Sequence, residues 1–187
     1  MLFRSNPTST VKVGVPEELT PDDRTAHLIL LGGSDFNDLT KEILQYFQHV
    51  PVAQSEREVE DDPGGFTVRT DAGMLHFGPR VKRSADSGAT TLTEDVALFL
   101  RAKNPFNADR TLTMCSGMYA RGSYGAVRAL TDIKIRERNS GYISERFRDQ
   151  DTYCILCRVK AVAKGIITPN WTLDEFRLYE WSEEGVE

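Results

Sequence analysis

The apolar positions along the chain fall into two kinds of pattern, continuous runs and helically spaced stripes. Ala26-His27-Leu28-Ile29-Leu30-Leu31 is a nearly unbroken apolar run, which is what a strand buried on both faces requires, so it predicts a central strand. After Gly32-Gly33-Ser34 the apolar residues Phe36, Leu39, Ile43, Tyr46 and Phe47 recur at helical spacing, and Ser34 or Asn37 is placed to cap the first turn. Strand, glycine turn and capped amphipathic helix make half of a βαβ unit.

Beyond this unit the stretch 51–62 is polar and acidic, and Phe66–Thr70 and Met74–Phe77, joined through Asp71-Ala72-Gly73, predict a small β-hairpin. Arg80 to Thr91 reads as a charged loop, expected to be mobile. Val96–Arg101 predicts a second buried strand, Asn104-Pro105-Phe106-Asn107 a turn, and Thr111–Cys115 a strand antiparallel to the one before. That strand runs into a second glycine-bearing turn between Ser116 and Gly125, and a helix begins near Ser123 with Ala126, Val127, Leu130 and Ile133 on one face. Asn139-Ser140-Gly141 reads as a helix stop before a shorter helix over 142–147. Thr152–Val162 predicts the last long strand, and Glu175–Trp181 an edge strand after a loop that contains Pro169.

Together these elements predict one α/β domain over residues 25–182, a Rossmann-like mixed sheet with helices on both faces. An arm or linker over 1–24 precedes it and an acidic tail over 183–187 follows. A length of 187 residues suits one well-buried domain, and 40% hydrophobic with 27% charged residues is an ordinary globular balance. No run approaches the roughly 18 apolar residues that a spanning helix needs, and residues 1–10 lack a signal peptide's apolar core. A cytoplasmic protein without membrane contact is expected. A net charge of -5 argues against sequence-independent nucleic-acid binding.

Three cysteines cannot close a disulfide framework, which agrees with a reducing compartment. Cys154 and Cys157 form a CxxC inside a predicted strand, where positions three apart point to opposite faces, so neither a metal nor a closed ring is expected. No metal and no cofactor follow from the sequence.

In an open α/β sheet, ligands bind outside the carboxyl ends of the strands, where glycine turns bring amides and helix N-termini close. If the two glycine turns end parallel strands they share that edge. The site would be bounded by Gly32, Gly33, Ser34 and Asn37 on one side and by Ser116, Gly117, Arg121, Gly122 and Ser123 on the other. A helix N-terminus and the Arg121 guanidinium favour a small anion such as a phosphate or carboxylate. Gly117 and Gly122 have the separation of a triphosphatase phosphate loop, but Ser123 stands where its lysine would be and Tyr124 where its hydroxyl would be. Neither turn reads GxGxxG. His27, His49 and His76 are tied by no spacing to a nucleophile, and Cys115 lies where a helix N-terminus could lower its pKa. Asp35, Asp38 and Glu94 are the carboxylates available for N-glycoside cleavage.

Leu28-Ile29-Leu30-Leu31-Gly32-Gly33-Ser34 with Asn37, the segment from Phe99 to Phe106, and Cys115-Ser116-Gly117 with Gly122 to Leu130 resemble a bacterial Rossmann-like domain. That domain occurs in the C-terminal halves of some actinobacterial helix-turn-helix regulators and as stand-alone proteins, and is more distantly similar to SLOG-type domains. The resemblance covers roughly Ala26 to Tyr179 and implies sensing of a nucleotide-derived ligand. The arm over 1–24 is not expected to form DNA-binding helices, which sets this chain apart from the regulator pattern. Three function classes follow: a sensor or regulatory module for a nucleotide-like anion, an N-glycoside-cleaving or glycosyl-transferring enzyme using Asp35 or Glu94, and an interaction module without a ligand, whose partner is a second copy or another protein.

Overall fold

The structure is a computed structural model that describes residues 11–55, 64–85 and 88–183. Residues 1–10 of the expected arm, much of the acidic stretch 51–62, part of the loop 80–91 and the tail beyond 183 therefore lie outside the described residues. The strands are β1 (Leu28–Leu31), β2 (Val52–Gln54), β3 (Phe66–Thr70), β4 (Gly73–Phe77), β5 (Arg80–Arg83), β6 (Thr90–Asn104), β7 (Asn107–Gly117), β8 (Tyr153–Val162), β9 (Gly165–Ile166) and β10 (Arg177–Ser182). The helices are α1 (Pro21–Arg24), α2 (Asp38–Leu44), α3 (Ala120–Thr131) and α4 (Arg136–Arg146).

The fold is mixed α/β. Its main sheet has the path β1-β7-β6-β8-β10, with β5 added to β6 and β9 to β8, while β2, β3 and β4 form a small sheet of their own. β1 and β7 are parallel; β7, β6, β8 and β10 are successively antiparallel. β6 and β7 form the long central hairpin, closed at the expected Asn104-Pro105-Phe106-Asn107 turn. Asn104 is buried there, and its side chain donates to the carbonyls of Arg24 and Ala26, at 2.8 and 2.7 Å, so the turn anchors the chain entering β1.

Strand alternation feeds two separate cores. Leu98 and Leu100 of β6, Leu112 and Met114 of β7, and Leu28 and Leu30 of β1 pack with Leu39 and Ile43 of α2 and with Phe66 and Val68 of β3. The intervening residues Ala97, Phe99, Cys115, Ile155 and Val159 pack with Ala126 and Ala129 of α3, with Phe147 and with Trp171. Cys154 belongs to the first core and Cys157 to the second, so the CxxC thiols do point to opposite faces.

Three expectations change. β1 is not a central strand: among the described residues it has one strand neighbour, β7, and Ile29 and Leu31 are 69% and 55% exposed. The unbroken apolar run does not report burial on both faces here: Leu28 and Leu30 face the core, and Ile29 and Leu31 are apolar residues left on a bare face. The supposed loop 80–91 contains β5 and the start of β6, paired antiparallel from Arg80↔Glu94 to Arg83↔Thr90. Asn139-Ser140-Gly141 does not stop a helix, because α4 runs through it. Asn139 is fully buried; its amide donates to the carbonyls of Ala129 (2.8 Å) and Pro169 (2.9 Å) and its oxygen accepts from Trp171 N (2.8 Å).

Candidate functional site

Because β1 and β7 are parallel, in the register Leu28↔Leu112 to Leu31↔Cys115, both glycine turns emerge at one edge of the sheet. β6 starts and β8 ends at that same edge, since both pair antiparallel and in register with this set. The sheet thus collects Gly32 to Asn37, Thr90 to Asp95, Ser116 to Ser123 and Ala163 at its upper rim.

The first turn is held by its own neighbours. Gly32 has φ +103°, a left-handed conformation that glycine adopts without steric cost, and its N–H donates to the Cys115 carbonyl at 3.0 Å. A Cβ on Gly33 would lie 2.3 Å from Gln54 Oε1, which accepts from the Ser34 N–H at 3.1 Å. Asn37 caps α2 by accepting from Thr40 N at 3.1 Å, and its amide donates to the Leu31 carbonyl at 3.1 Å. Asn37 has internal partners for its side chain, whereas Ser34 is bonded through its backbone N–H alone and Gly33 lies against the end of the Gln54 side chain.

The second turn is built around Asp95, a fully buried carboxylate near the start of β6. Asp95 Oδ2 accepts from Tyr119 N at 3.1 Å and from Gly122 N at 2.6 Å, and Oδ1 from Val96 N at 2.9 Å. The Tyr119 and Gly122 amides are N-cap and first-turn amides of α3, the groups that such a turn offers to an anion, and the helix dipole favours the charge placed there. The glycines permit this closeness. A Cβ on Gly117 would lie 2.4 Å from Ser123 N, one on Gly122 2.8 Å from Asp95 Oδ2, and one on Gly125 2.5 Å from Val159. Ser116 and Gly117 are buried within β7, paired with Leu98 and Ala97 of β6.

Arg121 stands apart from this packing. Its guanidinium donates to the Ala163 carbonyl at 3.0 Å, beyond the end of β8. It also lines a shallow, largely open depression of about 410 Å³ with Tyr119 and Ala120 at the start of α3 and Thr90, Thr91 and Leu92 of β6. The depression brings a cation, an aromatic ring and two threonines side by side, on a lining that is mainly apolar. Sequence reasoning missed Tyr119 and the threonines, because 80–91 read as a loop and nothing in the local pattern brings β6 to α3.

The other expected groups are placed as follows. Glu94 Oε2 lies 3.3 Å from Arg80 Nε and 3.2 Å from Arg158 Nε, so this carboxylate is an ion-pair hub between β5, β6 and β8. Asp35 and Asp38 are exposed near α2. Burial pushes the thiols of Cys115, Cys154 and Cys157 each up to about 12, so the helix start beside Cys115 does not activate it. His27 Nδ1 accepts from Thr111 N at 3.1 Å, which ties it to β7. Among the described residues no group of three or more His, Cys, Asp or Glu could hold a metal ion, and no helix is long and apolar enough to cross a membrane. No protein-family model, curated protein or solved structure matches this chain.

Proposed function

We propose that this chain is a ligand-binding regulatory module with a Rossmann-like ancestry, which senses a nucleotide-like anion in the depression between the start of β6 and the start of α3. The observation that carries this reading is the position of Arg121 in a depression of about 410 Å³ beside Tyr119, Thr90 and Thr91. A guanidinium suits a phosphate, an aromatic face suits a base, and hydroxyls suit a ribose edge. Binding rather than turnover is favoured because the Glu94 carboxylate lies between two arginines and the Asp95 carboxylate is committed to α3. A cytoplasmic setting is in keeping with three buried free thiols.

Calorimetric titration of the full chain with AMP, ADP and NAD tests the reading. Arg121→Ala is expected to weaken the tightest of these by about 1.5 to 3 kcal/mol, roughly ten- to a hundredfold in Kd. An unchanged Kd removes Arg121 from the site. Product formation from NAD or a nucleoside on chromatography would replace the sensor with an N-glycoside-cleaving enzyme.

A further inference from the structure

We propose that Arg101, together with Thr113 and the uncovered side chains of Ile29 and Leu31, forms a binding site for a small carboxylate that carries an apolar chain. The site lies on the sheet's α3 side, well below the rim that holds Arg121, and does not depend on the reading above.

The strand register sets the geometry. Ile29 pairs with Thr113, Thr113 with Arg101, and Arg101 with Tyr153, so one row of side chains crosses β1, β7, β6 and β8. Alternation puts this row on the face that carries Phe99, Cys115 and Ile155. The Tyr153 end is roofed by Phe147, whose ring stacks on the tyrosine at 4.6 Å. At the β1 end Ile29 and, one row up, Leu31 stay exposed. Half of the row is therefore covered and half is bare.

Arg101 sits at the boundary between the two halves and is half-buried. Its guanidinium donates to Thr113 Oγ1 at 2.5 Å, and among the described residues it has no ion pair with a carboxylate. Burial lowers its pKa from the usual arginine value, with only the Tyr153 phenol acting in the other direction. A guanidinium has five N–H donors in a planar fork; the Thr113 hydroxyl takes one, and the others are open to solvent or to a ligand. A half-buried guanidinium with no carboxylate beside it among the described residues is matched by a ligand carboxylate, which takes two of its donors at once.

Distance selects the kind of ligand. Arg101 lies two inter-strand gaps, about 10 Å, from β1. A peptide added as a strand to the free side of β1 would be one gap further out, beyond the reach of an Asp or Glu side chain. A small molecule lying across the face spans that distance, with its carboxylate on Arg101 and its chain over Thr113 to Ile29 and Leu31.

The experiment uses octanoate as the probe, with acetate (charge without chain) and octanol (chain without charge) as controls, followed by calorimetry and thermal unfolding of the full chain. Octanoate is expected to bind at least about tenfold more tightly than either control, since it makes both contacts. Arg101→Met should lower octanoate affinity to that of octanol while the free protein still unfolds cooperatively near the Tm of the unaltered chain, because the half-buried guanidinium has one side-chain partner, Thr113. Arg101→Lys, which keeps the charge without the fork, should weaken binding several-fold, and serves if the methionine variant does not fold. Ile29→Ser should weaken octanoate and leave acetate unaffected. Equal binding of octanol and octanoate, octanoate binding unchanged in Arg101→Met or Arg101→Lys, or no binding to the unaltered chain overturns the proposal.

Discussion

Asp95 and Glu94 are neighbours with opposite fates. Glu94 meets Arg80 and Arg158 at the sheet surface, whereas Asp95 is fully buried and held by amides 24 and 27 positions away in the chain. Thr93-Glu94-Asp95-Val96 shows no sign of this, because the partners of Asp95 are backbone groups that carry no residue signature. The glycines Gly117, Gly122 and Gly125 are plain in the sequence, but as letters they do not separate approach to a ligand from approach to the chain itself. Asp132 illustrates a residue-level effect that can be measured. It accepts from Thr168 Oγ1 at 2.7 Å and from Lys134 N at 3.0 Å, and pairs with Arg128; Thr168 is the largest cause of a pKa lowered from 3.8 to about 2. A carboxyl whose pKa is depressed in the folded state contributes stability above its unfolded pKa and loses it as pH falls through the folded value. Urea unfolding is therefore expected to show stability falling between pH 4 and pH 2, with a shallower fall in Asp132→Asn. Asp23, also lowered to about 2, contributes to the same window, so the slope is reduced rather than abolished.

At the scale of elements, legibility follows whether an element's pattern reports its packing. β8 and the central hairpin were readable because alternate residues feed two cores, leaving continuous apolar runs. β5 was not readable: Arg80-Val81-Lys82-Arg83 is exposed along its whole length and is held to β6 through the backbone ladder, so no side-chain period marks it. α4 hid behind Asn139-Ser140-Gly141, a helix-stop signature. Asn139 tolerates its mid-helix position because its amide is satisfied by Ala129, Pro169 and Trp171 rather than by a competing local turn. Gly141 is different, since a Cβ there would meet nothing within 4 Å. Gly141→Ala should stabilise the protein by about 0.5 to 1 kcal/mol, visible as a raised urea midpoint with an unchanged slope. A lowered midpoint would mean that the glycine has a packing role.

The whole molecule hangs on the β6–β7 hairpin, which joins β1 on one side and β8 on the other and supplies side chains to both cores. The α/β class was legible, because strand-turn-helix junctions leave their period in the sequence. Strand order was not, since it depends on which edges meet, and a parallel β1–β7 pair beside an antiparallel hairpin has the same local periodicity as other arrangements. The seat of Asp95 has a consequence in time. First-turn amides of a helix ordinarily trade their hydrogens with water early, as the end frays. The Tyr119 and Gly122 amides are bonded to a carboxylate rooted in the central hairpin, so opening them means pulling α3 away from β6. In deuterium exchange these two should be among the slowest amides, keeping pace with Leu98 and Leu100, while the first turn of α4, which has no side-chain cap, exchanges early. Rapid labelling of Tyr119 and Gly122 would show that the start of α3 loosens independently of the sheet beneath it.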